Sequence, residues 1–390
     1  MRTRLSLLLV SLAAAAALAV AVAATAEPAS SSSARYQALR SGMVVGFYDD
    51  EQVYGRTAWA FRQLRSLRAG IVRVTINWAS VAKRRPVSPA NPADRAYNWT
   101  AVDEVVSTAA KNKVRVLATI YGTPRWAGRA QNRVPRRTRD LRLFAHAAAK
   151  RYSGTYLVKE FENEPKRRLP AIRHWLAWNE PNNPVFLKPQ WKMVKRKWRP
   201  QSAFNYAKIC SAIWSGVHST RIKGEKVGCG VTGPRGNDAP RSSRPSTSPL
   251  VFITWLRRAG LKRFDAYAHH PYSTSRFERP TTVPKSKKAV TLGNIRTLIR
   301  KVDSLFGPKR LWITEYGYQT RPPDRFFGVR YSTQARFVHQ AVAVARKTRR
   351  VDMFVWFLIR DERRLSGWQS GVVSVRGARK PSFRAFQKLR

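Results

Sequence analysis

After residue 40 the hydrophobic pattern alternates between two kinds of run. Short apolar, β-branched stretches begin near Met43 (MVVGFYDD), Ile71 (IVRVTINW), Val114 (VRVLATIYG) and Ile172 (IRHWLAWNE). Others begin near Lys226 (KVGCGVTG), Phe264 (FDAYAHHPY), Arg310 (RLWITEYGY) and Val351 (VDMFVWFLI). Between them lie longer amphipathic segments: Thr57–Ala69, Thr100–Lys111, Leu141–Tyr152, Ser202–Thr220, Leu250–Ala259, Leu292–Phe306 and Ser332–Lys347. Period two reads as strand and period 3.6 as helix. The strand starts fall 28 to 58 residues apart, room for a strand, a helix and two loops. Eight such units predict an α/β chain folded as a single-domain (β/α)8 TIM barrel over residues 41–390. A doubly wound open sheet is the alternative.

The first 40 residues break the pattern. Arg2 and Arg4 precede an almost uninterrupted Leu, Ala and Val run from Leu5 to Ala24, and Ala24-Thr25-Ala26 is a small-x-small sequence. That is the layout of a secretory signal peptide over residues 1–26, with cleavage after Ala26. An uncleaved anchor is the alternative, since a run of this length could span a bilayer. Residues 27–40, with serines at 30–33, read as a flexible linker. The expected mature chain is secreted and extracellular, with association to the cell envelope as one expected outcome and no further membrane span.

Composition narrows the chemistry. The chain has 390 residues, 43% of them hydrophobic, with 74 Lys+Arg against 22 Asp+Glu and a formal charge of +52. So apolar a chain is not a disordered basic tail. Two cysteines and six histidines, with no His-Glu-x-x-His or Cys-x-x-Cys pattern, argue against a dedicated metal site. Gly228-x-Gly230-x-x-Gly233 fits a dinucleotide fingerprint, but Pro234, Gly236 and Pro240 follow where a helix would have to start. These glycines are better read as packing a barrel strand. Cys210 and Cys229 fall at similar heights on a helix and the next strand, so they either bridge or stay as two thiols.

In a (β/α)8 barrel the chemistry stands at the C-terminal ends of the strands. Those ends read Asn77-Trp78, Tyr121-Gly122-Thr123-Pro124-Arg125-Trp126, Trp178-Asn179-Glu180-Pro181-Asn182, His269-His270-Pro271-Tyr272 and Thr314-Glu315-Tyr316-Gly317-Tyr318, with Trp356 on the last strand. Indole faces stack on the C–H faces of sugars, while amides and carboxylates take the hydroxyls. Two glutamates at the ends of the fourth and seventh strands are informative in a chain this poor in acids. Glycoside hydrolysis needs two carboxyl groups, one protonated and one ionised.

These motifs resemble the clan A retaining glycoside hydrolases, most closely the family 5 and family 39 type barrels. Trp178-Asn179-Glu180-Pro181 is similar to the clan's acid/base motif and Ile313-Thr314-Glu315-Tyr316-Gly317 to its nucleophile motif. The resemblance implies that Glu180 is the general acid/base and Glu315 the nucleophile of a double displacement, with Glu315's charge raising the pKa of Glu180. It further implies that Arg73 sits beside the nucleophile, that Asn179 bonds the sugar 2-hydroxyl, that His270 and Tyr272 form a His-x-Tyr pair, and that Trp356 is a sugar platform. Trp126 and Tyr318 are additional expected contacts. No cofactor is implied, and the expected partner is a carbohydrate substrate. A transglycosylase would use the same residues, and a catalytically silent glycan-binding barrel is a third reading.

The positive charge has three readings: attachment to an anionic cell envelope, attraction of an acidic polysaccharide, or an Arg-rich composition without function. No specific nucleic-acid binding is expected, since Lys and Arg are spread through all loops and helices and no binding motif appears. Lys159–Pro170, with Glu160, Glu162 and Glu164, reads as a solvated insertion.

Overall fold

A computed structural model describes residues 42–158 and 166–389. The expected leader (1–26), the linker (27–40) and Glu160, Glu162 and Glu164 lie outside them. Eight parallel strands close into a barrel, each pairing with its neighbours in sequence and the last with the first. They are β1 (Val44–Tyr48), β2 (Ile71–Asn77), β3 (Arg115–Tyr121) and β4 (His174–Ala177), then β5 (Lys226–Thr232), β6 (Ala266–His269), β7 (Arg310–Tyr316) and β8 (Val351–Phe357). All eight expected strands are present, and the open-sheet alternative is excluded by the β1–β8 pairing.

Outside the barrel run α1 (Thr57–Ser66), α2 (Thr100–Lys111), α3 (Thr138–Arg151) and α4 (Gln201–His218). They continue with α5 (Pro249–Arg258), α6 (Ile295–Phe306), α7 (Tyr331–Lys347) and α8 (Pro381–Gln387). Pro249 opens α5 at a position where the missing N–H costs nothing, and Gly307 ends α6 at φ 74°. No helix among the described residues is long and apolar enough to cross a membrane.

Two cores follow from the strand period. One fills the layer between strands and helices, with Phe47, Ile120, Trp175, Ile313, Phe354 and Trp356 among its members. The other plugs the bore: Ile71, Leu117, Leu176, Val231, Ala266, Ala268, Trp312, Met353 and Val355. Gly228 faces this plug. A Cβ there would stand 2.6 Å from the Trp312 ring, so the glycine admits the indole. The apparent dinucleotide fingerprint is thus strand packing.

Cys210 on α4 and Cys229 on β5 are joined by a disulfide across 6.1 Å of Cα separation. Of the two readings left open, the bridge is the one formed. The insertion after α3 departs from the expected loop. Leu157–Val158 pairs antiparallel with Arg167–Arg168 at its base, and Leu169 is buried.

Candidate active site

Local backbone geometry brings the two glutamates to the mouth. Beyond β4, Trp178 and Glu180 take positive φ of 70° and 29°. Non-glycine residues adopt such values at a cost, offset where the surroundings hold them. Here the Trp178 indole donates to Phe186 O at 2.8 Å, and Asn182 bonds the backbone of the β5 loop from Gly233 to Arg235. Gly233 lies so close to the Glu180 carboxylate that a Cβ would meet it at 3.0 Å. On β7 the register against β8 shifts between Ile313 and Tyr316. Strict alternation would point Glu315 outward with Ile313. The irregularity lets consecutive side chains, Thr314 and Glu315, both reach into the bore, as a bulge re-aims a side chain.

Arg73 organises what they meet. Its guanidinium is fully buried above the apolar plug. It donates to Glu315 Oε1 at 2.8 Å, Thr314 O at 3.1 Å, Asn179 Oδ1 at 2.8 Å and Thr119 Oγ1 at 3.0 Å. Its carbon lies 4.2 Å from the Tyr48 ring centroid. A buried cation needs such a set of acceptors. Arginine only donates, so the bond to Asn179 fixes that amide with its oxygen toward Arg73 and its NH2 free to donate to a ligand.

His270 stands between the glutamates. Its Nδ1 is 3.0 Å from Glu180 Oε1 and 3.5 Å from Glu315 Oε2, and its Nε2 is 3.0 Å from Thr314 Oγ1 and 3.3 Å from Arg73. Burial pushes its pKa down to about 3, with Glu315 opposing and Arg73 assisting the fall. The ring is therefore neutral. With the guanidinium against Nε2, the single proton belongs on Nδ1 and is donated toward Glu180. Tyr272 donates to Glu315 Oε2 at 3.2 Å, and burial first, then Glu315, holds its phenol well above the usual range. It remains a donor at any working pH.

Glu180 has a raised pKa. Burial is the first cause, while the Asn183 bond at 3.1 Å and the charges of Arg73 and Arg235 pull the other way. The expected rise is present, and desolvation is its first cause. One carboxylate oxygen of Glu180 lies within 4.8 Å of one of Glu315, and His270 offers a nitrogen within the same distance. These three could be asked to hold a divalent cation. The Arg73 charge already neutralises Glu315 and opposes a second cation.

Glu180, Glu315, Asn179 and Tyr272 line a cleft of about 1580 Å3 at the barrel mouth. Three expected contacts do not reach it. Trp356 is fully buried on the outward face of β8, its indole donating to Ser370 O and packing on Phe386 and Tyr316. The parity of β8 explains this, since Met353 and Val355 face inward and Trp356 does not. Trp126 donates to Ala82 O and packs on the edge of Trp78. Tyr318 is buried and donates to Glu278 O. The aromatic surface of the cleft comes instead from Trp368, 5.2 Å from the Tyr272 ring centroid, with Phe357, Tyr121 and Tyr48.

Sequence reading missed Trp368, Asp50, Asn183 and Arg235. Trp368 lies in an irregular loop beyond β8 and carries no pattern. Asp50 had a signal, an acid two residues past a strand end in a chain with few acids. It accepts from Tyr48 Oη at 3.1 Å and from Thr75 N at 3.0 Å, bracing that wall of the cleft. Seven Asp and Glu line the cleft against five Lys and Arg. The positive excess of the chain therefore lies elsewhere.

The family model described as glycosyl hydrolase catalytic core matches residues 253–386, a stretch that holds Glu315, His270 and Tyr272 but not Glu180. No curated protein matches the chain. Among solved structures, a family 39 glycoside hydrolase from Bacteroides cellulosilyticus superposes with a TM-score of 0.60 at 16% identity over 90% of this chain and 64% of its own. A glucosidase from Croceicoccus marinus gives 0.60 at 15% identity over 88% of this chain and 66% of its own. A family 1 β-glucosidase from Thermotoga maritima gives 0.57 at 12% identity over 90% and 98%. The chain spans just under two thirds of the length of the first two, and at these identities the likeness is one of fold. Residues 253–386 thus match a glycosyl hydrolase catalytic core, and the chain has a closed (β/α)8 barrel, the fold it shares with these glycosidases.

Proposed function

We propose that the protein is a secreted, retaining O-glycoside hydrolase of poly- or oligosaccharides. The observation that carries this reading is the close approach of Glu180 and Glu315, within 4.8 Å oxygen to oxygen. Retention needs carboxyls about 5–5.5 Å apart, and inversion about 6.5–9.5 Å to admit a water. The environments also divide the roles. Glu315 is paired with Arg73 and suits attack as a carboxylate, while Glu180 is pushed toward its protonated form by burial.

Glu315 attacks the anomeric carbon as the bond to the leaving oxygen breaks, and Glu180 gives that oxygen its proton. The glycosyl group is then an ester on Glu315, whose charge is gone. Glu180, now a carboxylate, takes a proton from water as the water displaces Glu315. Asn179 donates to the sugar 2-hydroxyl, and Tyr272 and Arg73 hold Glu315 in line. Trp368 offers the platform face that Trp356 does not.

A Glu315→Gly variant tests the assignment. On an aryl glycoside that the parent cleaves, turnover should vanish, and azide should restore it with formation of the glycosyl azide of inverted configuration. Turnover persisting without azide would remove Glu315 from the nucleophile role. Adding a sugar acceptor to the parent and analysing products separates hydrolysis from transglycosylation.

A further inference from the structure

Two loops on the catalytic face carry surface that the glycosidase reading does not use. Residues 270–291 leave β6 and residues 317–330 leave β7. They are tied together: Tyr318 Oη donates to Glu278 O at 2.7 Å, and Arg276 Nη1 donates to Arg325 O at 2.6 Å. Nine large apolar side chains are exposed among the described residues, and four stand on these two loops. They are Phe277 (63% exposed), Val283 (64%), Phe326 (83%) and Phe327 (38%). The Phe326–Phe327 pair is presented by a defined turn, since Asp324 Oδ1 accepts from both backbone N–H groups.

The surroundings are basic. Arg279, Lys285, Lys287, Arg321, Arg325 and Arg330 are all exposed. The two acids of these loops are engaged internally, Glu278 by Thr274 and Asp324 by its turn. None of the four apolar residues lines the cleft. Exposed phenyl groups carried with exposed cations on two joined loops suit a setting that uses both features. At an anionic lipid surface, aromatic tips enter the headgroup–acyl boundary while Lys and Arg meet the lipid phosphates. A soluble polyanion would use the charge alone.

We propose that the joined β6 and β7 loops dock the catalytic face of the barrel onto an anionic lipid surface. The test uses the full chain with vesicles of about 30% phosphatidylglycerol in phosphatidylcholine, set against phosphatidylcholine alone. Sedimentation should show binding to the anionic vesicles at least about tenfold tighter than to the neutral ones. A Phe277→Ser/Phe326→Ser/Phe327→Ser variant should bind the anionic vesicles about tenfold more weakly than the parent, with an unchanged melting temperature. Amide exchange on vesicle binding should slow within 276–283 and 321–328. Equal binding of parent and variant, or protection confined to other segments, would overturn the proposal in favour of general adsorption of a polycation or of attachment through the N-terminal apolar run. Heparin binding with the same dependence on the three phenylalanines would also overturn it, in favour of a polyanion site.

Discussion

The base and the top of the barrel bore are built from the same strands two residues apart, yet they do opposite things. At the base, Ile71, Leu117, Ala268 and Trp312 form a dry plug. One inward position further on stand Arg73, Thr119, His270 and Thr314, bound to one another and to Glu315 and Asn179. Packing decides the lower layer, and almost any well-fitting apolar set would serve it. Hydrogen-bond satisfaction decides the upper one, where each donor and acceptor fixes its neighbour. Stability and chemistry are thus stacked along one axis, and substitutions in the two layers should separate them.

Between the two layers, the largest effect is expected at Arg73. Arg73→Met removes the charge that pairs Glu315 and leaves Asn179 and Thr119 without their donor. It should lower kcat/KM by about 100- to 1000-fold, the scale seen when a preorganised donor is lost. It should also cost about 3–5 kcal/mol of stability, as breaking one side of a buried pair does. Denaturant melts and kinetics on the same preparation measure both, and a change in stability alone would break the division between the layers. Trp312→Ala at the base should cost about 3–5 kcal/mol. The folded fraction should keep kcat within about threefold, because Trp312 touches none of the reacting groups. A large loss of kcat there would show that the plug also positions the glutamates.

A smaller effect sharpens the account of Glu180. Its pKa is raised by burial, and the Asn183 bond resists that rise. Glu180 works as the acid when protonated, so activity falls as pH climbs through its folded pKa. Asn183→Ala removes a bond to the ionised form and should move that alkaline fall to higher pH. The pH profile of kcat/KM on a substrate with a poor leaving group reads the shift. Movement to lower pH would contradict the assignment of Glu180 as acid.

The layering also explains what the sequence could and could not reveal. Eight strands and most helices were legible because burial enforces a period along the chain. Glu180 and Glu315 were legible as scarce acids at strand ends within motifs. Trp356 misled because β8 parity turns it outward to Phe386, which periodicity could have indicated from Met353 and Val355. Trp126 and Tyr318 were placed at the mouth by nearness to strand ends, but their polar atoms are taken by Ala82 O and Glu278 O. The inward turn of Glu315 depends on a register shift against β8, a pairing between distant segments that no local pattern encodes. Trp368 and Arg235 come from irregular loops whose course is set by tertiary contacts. The charge, too, reads differently in space: the cleft is lined by more acids than bases, although the chain as a whole carries +52.

The most direct measurement of the central claim is the configuration of the first-formed product. Cleavage of an aryl glycoside substrate followed by proton NMR, before the sugar mutarotates, shows which anomer leaves the enzyme. Two carboxyls this close predict release of the anomer with the substrate's own configuration. Release of the opposite anomer would mean that a water, not Glu315, attacks the sugar, and would contradict the account.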